Sequence, residues 1–343
     1  MRPSDFYFDL PDDLIAQQPA DERSSSRMLV VDRTLGNIED SHFSRLPSKL
    51  IAGDLVVFNN TKVFPARLYG KSETGAAIEI FLVKKLEGNV WETLARPGRR
   101  LHTGKRVAFS SELSATVVDK LSDGKFAMSF NADGDIDDQV DTIGRTPLPP
   151  YIKRERDSAD DDRTRYQTVY AKKRGAIAAP TAGLHFTPKV IDELRALGIE
   201  TAEITLHVGY GTFEPIRAAD LVDHSVMPEE YEIDQAAAEQ LNLARRDGRR
   251  IIAIGTTTTR TLESNISHDG IFSAIKSNAD LTITPGYRFR ATDGLLTNFH
   301  LPESSLLVLT STFGGHELIM DAYRHAVAAA YRFYSYGDCM LII

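Results

Sequence analysis

The chain has 343 residues, of which 42% are hydrophobic and 26% charged, with a formal net charge of −8. That composition excludes a disordered or fibrous chain and leaves room for two cores of ordinary size. No run of about 18 apolar residues is present, the N-terminus has no apolar signal core, and Cys339 is the only cysteine. An intrachain disulfide and a Cys-based zinc site are thereby excluded, and we expect a cytoplasmic protein with no membrane span.

In chain order, Leu29–Val31 and Asp54–Phe58 read as short strands, the second ending in Asn59-Asn60-Thr61. From about Val63 to Ile143 the texture changes to short β-rich runs at Ala77–Val83, Val90–Ala95, Arg106–Phe109, Ala115–Val118 and Phe126–Phe130. Turn signals such as Pro97-Gly98 and Asp123-Gly124 separate them, and no helix is expected among them. Such spacing predicts a small barrel or sandwich. Pro147-Leu-Pro149-Pro150 marks its exit, because consecutive prolines stiffen the chain and donate nothing to a ladder.

Beyond Ala176 strands and helices alternate. Thr187-Pro188 opens a helix that Gly198 closes, and strand Thr201–His207 follows. Asp234 caps a helix ending at Gly248, and Arg250–Ile254 is a buried strand running into Gly255-Thr-Thr-Thr-Thr-Arg260 and a helix start. Leu281–Thr284 and Leu306–Thr310 read as further strands, His316–Phe333 as a helix of about five turns, and Cys339–Ile343 as a terminal strand. The predicted architecture is a layered, mixed-sheet α/β domain (residues 1–62 and 152–343) with an inserted small β-barrel domain (residues 63–151).

Three histidines stand beside Gly or Pro at the edges of apolar segments: His185 in Pro180-Thr-Ala-Gly-Leu-His-Phe186, His207 in Thr205-Leu-His-Val-Gly209, and His300 in Thr297-Asn-Phe-His-Leu-Pro302. Such edges are where α/β proteins hold ligands, and imidazole moves protons near neutral pH. Any one of them alone reads equally as a hydrogen-bonded loop residue. No His pair has helical metal-ligand spacing, so no metal is expected. Gly209-Tyr-Gly211 lacks the third glycine and the helix of a dinucleotide fingerprint. Gly255–Arg260 makes a better anion site, through free N–H groups at a helix start, although threonine capping accounts for it equally. The aromatic run Tyr331–Tyr336 reads as core or as a surface that stacks a base. Between Arg145 and Arg174, nine basic residues face five acidic ones, which marks either a solvated linker or a phosphate-binding surface.

Longer strings extend these motifs: Glu22-Arg-Ser-Ser25, Gly53-Asp-Leu-Val-Val-Phe-Asn-Asn-Thr-Lys62 with Pro65-Ala-Arg67, Pro147-Leu-Pro-Pro-Tyr-Ile152, Tyr166-Gln-Thr-Val-Tyr170, Ala178–Phe186, and Tyr331-Arg-Phe-Tyr-Ser-Tyr-Gly-Asp338. Together they resemble the S-adenosylmethionine:tRNA ribosyltransferase-isomerase family of queuosine biosynthesis, nearly from end to end. At His224-Ser-Val-Met-Pro-Glu229 a second histidine of the family pattern is missing. The resemblance implies that S-adenosylmethionine is a ribosyl-donor substrate, with no metal. The acceptor would be 7-aminomethyl-7-deazaguanine at the wobble position of tRNA, and the products epoxyqueuosine, adenine and methionine. On that reading His185, His207 and His300 move protons. Arg260 with Thr256 and Thr257 takes the methionine carboxylate, and Asn59, Asn60 and Arg67 hold ribose or base. Lys153, Arg154, Arg165, Lys172 and Lys173 contact tRNA phosphates, and a monomer is expected. The rival readings are an S-adenosylmethionine-dependent tRNA methyltransferase and a non-catalytic RNA-binding module.

Overall fold

The computed structural model describes residues 1–154 and 162–343; Glu155, Arg156, Asp157, Asp160 and Asp161 of the basic run lie outside the described residues. Seventeen strands are described: β1 Arg27–Asp32, β2 Asn37–His42, β3 Leu55–Asn59, β4 Thr61–Val63, β5 Arg67–Ser72, β6 Ala77–Lys85, β7 Val90–Arg96, β8 Arg106–Ala108, β9 Leu113–Lys120, β10 Phe126–Ala132, β11 Lys173–Ala176, β12 Glu200–Leu206, β13 Glu229–Ile233, β14 Ile251–Ile254, β15 Ile275–Ala279, β16 Gly294–Asn298 and β17 Cys339–Ile342.

Nine of these form one mixed sheet in the order β15-β13-β12-β3-β14-β16-β17-β1-β2. Its centre, β12-β3-β14-β16, is parallel, and β13 and β17 flank it antiparallel. Strands buried on both faces read as unbroken apolar runs, as in Leu55-Val-Val-Phe and Ile251-Ile-Ala-Ile. Alternation then splits them between two cores. Leu55, Val57, Ile251, Ala253 and Leu295 face one side, with helices Gln235–Arg246, Thr256–Asn265, Ser305–Gly314 and His316–Ala328 supplying Leu241, Leu262, Leu307 and Ile319. Val56, Phe58, Ile252, Ile254 and Leu296 face the other, against Val190, Ile191 and Leu194 of helix Pro188–Ala196.

A closed six-stranded barrel, β10-β7-β6-β5-β8-β9, takes all its strands from Arg67–Ala132, around Leu68, Ile80, Leu82, Val107, Met128 and Phe130. The chain enters it through β4 and returns through β11, and these two pair in parallel as a short ribbon. Closure leaves the barrel without an edge strand.

Five expectations require correction. A helix does lie beyond the barrel strands: Ile136–Ile143 is capped by the Asp135 carboxylate, which accepts from the N–H groups of Asp137 and Asp138. Its Ile136 and Val140, one turn apart, are the buried pair. The barrel also has a strand that the pattern does not announce, β5, where polar residues alternate with buried Leu68 and Ser72. Leu306–Thr310 is helical, within Ser305–Gly314 and capped by the Ser304 hydroxyl. That helix is buried nearly all round, so its apolar run shows no 3.6-residue stripe. Leu281–Thr284 forms no strand; the edge strand is β15, six residues earlier, and pairs with β13. Finally, the helix from His316 stops at Ala328, because Ala330 takes a left-handed φ of 53° and the chain turns to pack Phe333 against the N-terminal segment.

Candidate active site

The carboxyl ends of β12, β14 and β16 open on one side of the sheet, opposite the barrel wall carrying Val83–Lys85 and Trp91. Between them lies a cleft of about 890 Å³, the place where a parallel sheet presents loops to a ligand. His207 follows β12, Gly255-Thr256 follows β14, and Asn298–His300 closes β16; all line the cleft.

His207 rests on the ribbon that connects the barrel to the sheet. Its Nδ1 shares a 2.8 Å hydrogen bond with the Thr61 hydroxyl of β4. A Cβ on Gly175 of β11 would lie 2.6 Å from the ring, so glycine there makes room for the imidazole. Partial burial lowers its pKa and keeps the ring neutral at pH 7. His300 is 7% exposed; its Nε2 meets the Thr297 hydroxyl at 2.8 Å, and its backbone N–H donates to the Tyr323 hydroxyl. Burial depresses its pKa to about 3.

His185 is not a third member of this pair. It does not line the cleft. It lies at 4% exposure beside Phe43, on the face packed by helix Pro188–Ala196, with Nδ1 3.0 Å from the Ser26 hydroxyl. Burial is again the leading cause of a pKa lowered to about 4. A sequence window shows that a histidine ends an apolar run; it does not show from which face of the sheet the side chain projects.

At Gly255, whose φ of 91° suits only glycine, helix Thr256–Asn265 begins without a side-chain cap. The hydroxyls of Thr258, Thr259 and Thr261 turn back to the carbonyls of Ile254, Gly255 and Thr257. Threonine capping is therefore not their role, and the first-turn N–H groups at Thr256 and Thr257 stay available to an anion. Arg260 lines the cleft, but its guanidinium is committed to Glu229 and to the carbonyls of Ala279 and Leu281. Glu229 in turn accepts from the Gly209 N–H at 2.8 Å. This buried pair thus ties the loop after His207 to the helix after β14. Burial outweighs Arg260 and raises the Glu229 pKa.

The other expected ligand residues lie elsewhere. Asn59 brackets the strand ends, donating to the Leu206 carbonyl and accepting from the Leu206 and Thr61 N–H groups. Asn60 is taken up by Thr205 and Glu203. Arg67, on the barrel, pairs with Glu79 at 3.3 Å and lies over the Phe81 ring. Of the basic residues, Arg154 makes two bonds to Asp162, Arg165 donates to the Asp21 and Ala20 carbonyls, and Lys172 and Lys173 pair with Glu203 and Glu232. Lys153 is exposed. Residues that the sequence reading did not single out for the cleft include Glu229, Tyr151, Asn298 and Ser335. Asn298 was legible only as part of the Thr297–Pro302 string, and Glu229 only as the end of the His224–Glu229 string. His224 also lines the cleft, with Nε2 2.8 Å from the Ser305 hydroxyl.

A cleft of this size, lined by three imidazoles that burial keeps neutral and by an uncapped helix start, defines an enzyme-type site in an α/β protein that carries a β-barrel. The whole chain also has known relatives. Residues 3–342 match the model of the queuosine biosynthesis protein family, and the chain belongs to that family. It is 49% identical over 346 residues to the S-adenosylmethionine:tRNA ribosyltransferase-isomerase of Moorella thermoacetica and 47% identical over 345 residues to that of Caldanaerobacter subterraneus subsp. tengcongensis, covering 100% of both chains in each case. It is also similar to the crystal structure of S-adenosylmethionine tRNA ribosyltransferase from Thermotoga maritima, with a TM-score of 0.57 and 35% identity over 99% of this chain and 100% of that one.

Proposed function

We propose that this chain transfers and isomerises the ribosyl group of S-adenosylmethionine onto 7-aminomethyl-7-deazaguanine at the wobble position of tRNA, giving epoxyqueuosine and releasing adenine and methionine. The observation that carries this reading is end-to-end identity of 46–49% with relatives named for that activity. The cleft suits the chemistry the reaction demands. A base must take a proton from the ribose carbon that the sulfonium acidifies, adenine must be protonated as it leaves, and the aminomethyl group must attack as a free amine.

His207 fits the base. It is only partly buried, unlike His300, and the Thr61 hydroxyl fixes its ring orientation. His300, sealed in and neutral, suits a hydrogen-bonding role at the same substrate. The open turn at Thr256 and Thr257 fits the methionine carboxylate, while Arg260, paired with Glu229, holds that helix to the loop after His207 rather than contacting the carboxylate. A wobble base splayed out of its loop would enter between barrel and sheet. The exposed flank with Lys153, Lys172 and Lys173 is the surface we assign to tRNA phosphates. Incubation with S-adenosylmethionine and precursor tRNA tests the reading: free adenine is the expected product, whereas S-adenosylhomocysteine would mean methyl transfer.

A further inference from the structure

The segment Tyr331–Tyr336 divides its rings. Tyr331, Phe333 and Tyr336 are core, at 4% exposure or less. Tyr334 is half-buried and lines the cleft instead. It does so in a left-handed backbone conformation, φ 72°, which a bulky residue rarely adopts. Three contacts hold it there. Its N–H donates to the Phe299 carbonyl at 3.0 Å, and its carbonyl accepts from the Gly337 N–H and from the Asn298 side-chain amide, both at 2.9 Å. A backbone state of this kind persists only where its surroundings over-determine it, and it gathers at ligand sites.

The ring is propped as firmly as the backbone. Tyr151 packs against it with ring centroids 3.8 Å apart, and the Tyr151 hydroxyl is fixed by the buried Ser335 hydroxyl. One side of Tyr334 is therefore covered, and what remains open faces the cleft. Burial raises the pKa of its own hydroxyl, so the phenol moves no proton near neutral pH. The constraint serves the flat face of the ring rather than its acidity. Asn298, which tethers Tyr334, stands two residues before His300 on the same strand end.

We infer that Tyr334, propped by Tyr151 and tethered by Asn298, is a stacking platform for a purine-type base in the cleft. The inference rests on the proposed function, which brings two such bases to this site: the adenine of S-adenosylmethionine and the deazaguanine of the tRNA. A π face accepts either ring, and removing one stacking side chain costs binding by about 5- to 150-fold.

The test uses the full chain with Tyr334→Phe, which keeps the face, and Tyr334→Leu and Tyr334→Ala, which remove it. The probes are S-adenosylmethionine alone and an anticodon stem-loop RNA carrying 7-aminomethyl-7-deazaguanine, with binding followed by calorimetry. Tyr334→Phe is expected to bind both within about two-fold of wild type, and the other two variants to lose one probe by the factor above. Loss of S-adenosylmethionine assigns the platform to adenine; loss of the stem-loop assigns it to the deazaguanine. Tyr334→Leu and Tyr334→Ala binding both probes normally would overturn the inference, as would an equal loss of both probes with a lowered melting temperature, which marks a collapsed cleft. Wild-type protein that binds both probes yet releases no adenine would sink the proposed activity and leave the platform standing.

Discussion

Lowering the pH titrates two histidines that the fold keeps neutral. An unfolded histidine has a pKa near 6.5, whereas burial holds His185 at about 4 and His300 at about 3. Both folded values are depressed. The stability these residues lend is therefore complete above pH 6.5 and is lost as pH falls toward the folded values, because the unfolded chain takes up protons first. Each pK unit is worth about 1.4 kcal/mol, so the full loss is about 3 kcal/mol for His185 and about 5 kcal/mol for His300. Between pH 6 and 4.5 both rings are charged in the unfolded chain and neutral in the folded one. Together they impose a slope of about 2.7 kcal/mol per pH unit. His185→Gln and His300→Gln cannot titrate, and each should remove about half of that slope, whatever constant offset the lost hydrogen bond introduces. The assay is urea unfolding by circular dichroism at steps from pH 7.5 to 4.5, with variant and wild type compared at each step so that carboxylate contributions cancel. Identical slopes in wild type and both variants would mean that these rings titrate normally in the native protein, and the argument from burial would fail.

His207→Gln should leave S-adenosylmethionine binding within a few-fold while kcat for adenine release falls by about 10²–10⁴, the usual worth of a positioned base; unchanged turnover clears it of that role. Gly175→Ala pushes a methyl group into the His207 ring and should lower kcat by up to about 100-fold through misplacement, with little change in melting temperature; normal turnover would show that the imidazole has room to spare. Glu229→Ala strands the buried Arg260 guanidinium and should destabilise the protein by about 3–5 kcal/mol, read as a shift of the urea midpoint; a shift below about 1 kcal/mol would place that pair effectively in solvent. Replacing Lys172 and Lys173 with alanine should weaken tRNA binding and flatten its salt dependence by about 0.7–0.9 per lost contact. Both lysines are paired with carboxylates in the free protein, so an unaltered slope would mean that those pairs survive in the complex.

Much of the architecture was legible in the sequence because it is written in local terms. Apolar runs such as Ile251–Ile254 announce strands covered on both faces, Thr187-Pro188 and Asp234 announce helix starts, and the spaced turns after Val63 announce a closed β unit. Local terms misled where burial was complete, as in Ser305–Gly314, where an apolar helix and an apolar strand look alike. The three histidines could be recognised as loop residues at the edges of apolar runs. Which two line the cleft, and that the third packs behind it beside Phe43 and next to Asn298, was decided by tertiary structure alone, because it depends on how each loop crosses the end of the sheet. The same holds for charge. Arg260, Asn59 and Asn60 look free to take a ligand when read along the chain, and partners up to 147 residues away already claim them. A sequence specifies which groups can hydrogen-bond and titrate; which of them remain unsatisfied, exposed or strained, as Tyr334 is, is set by long-range packing, since only the folded chain removes water from one group and leaves it with another.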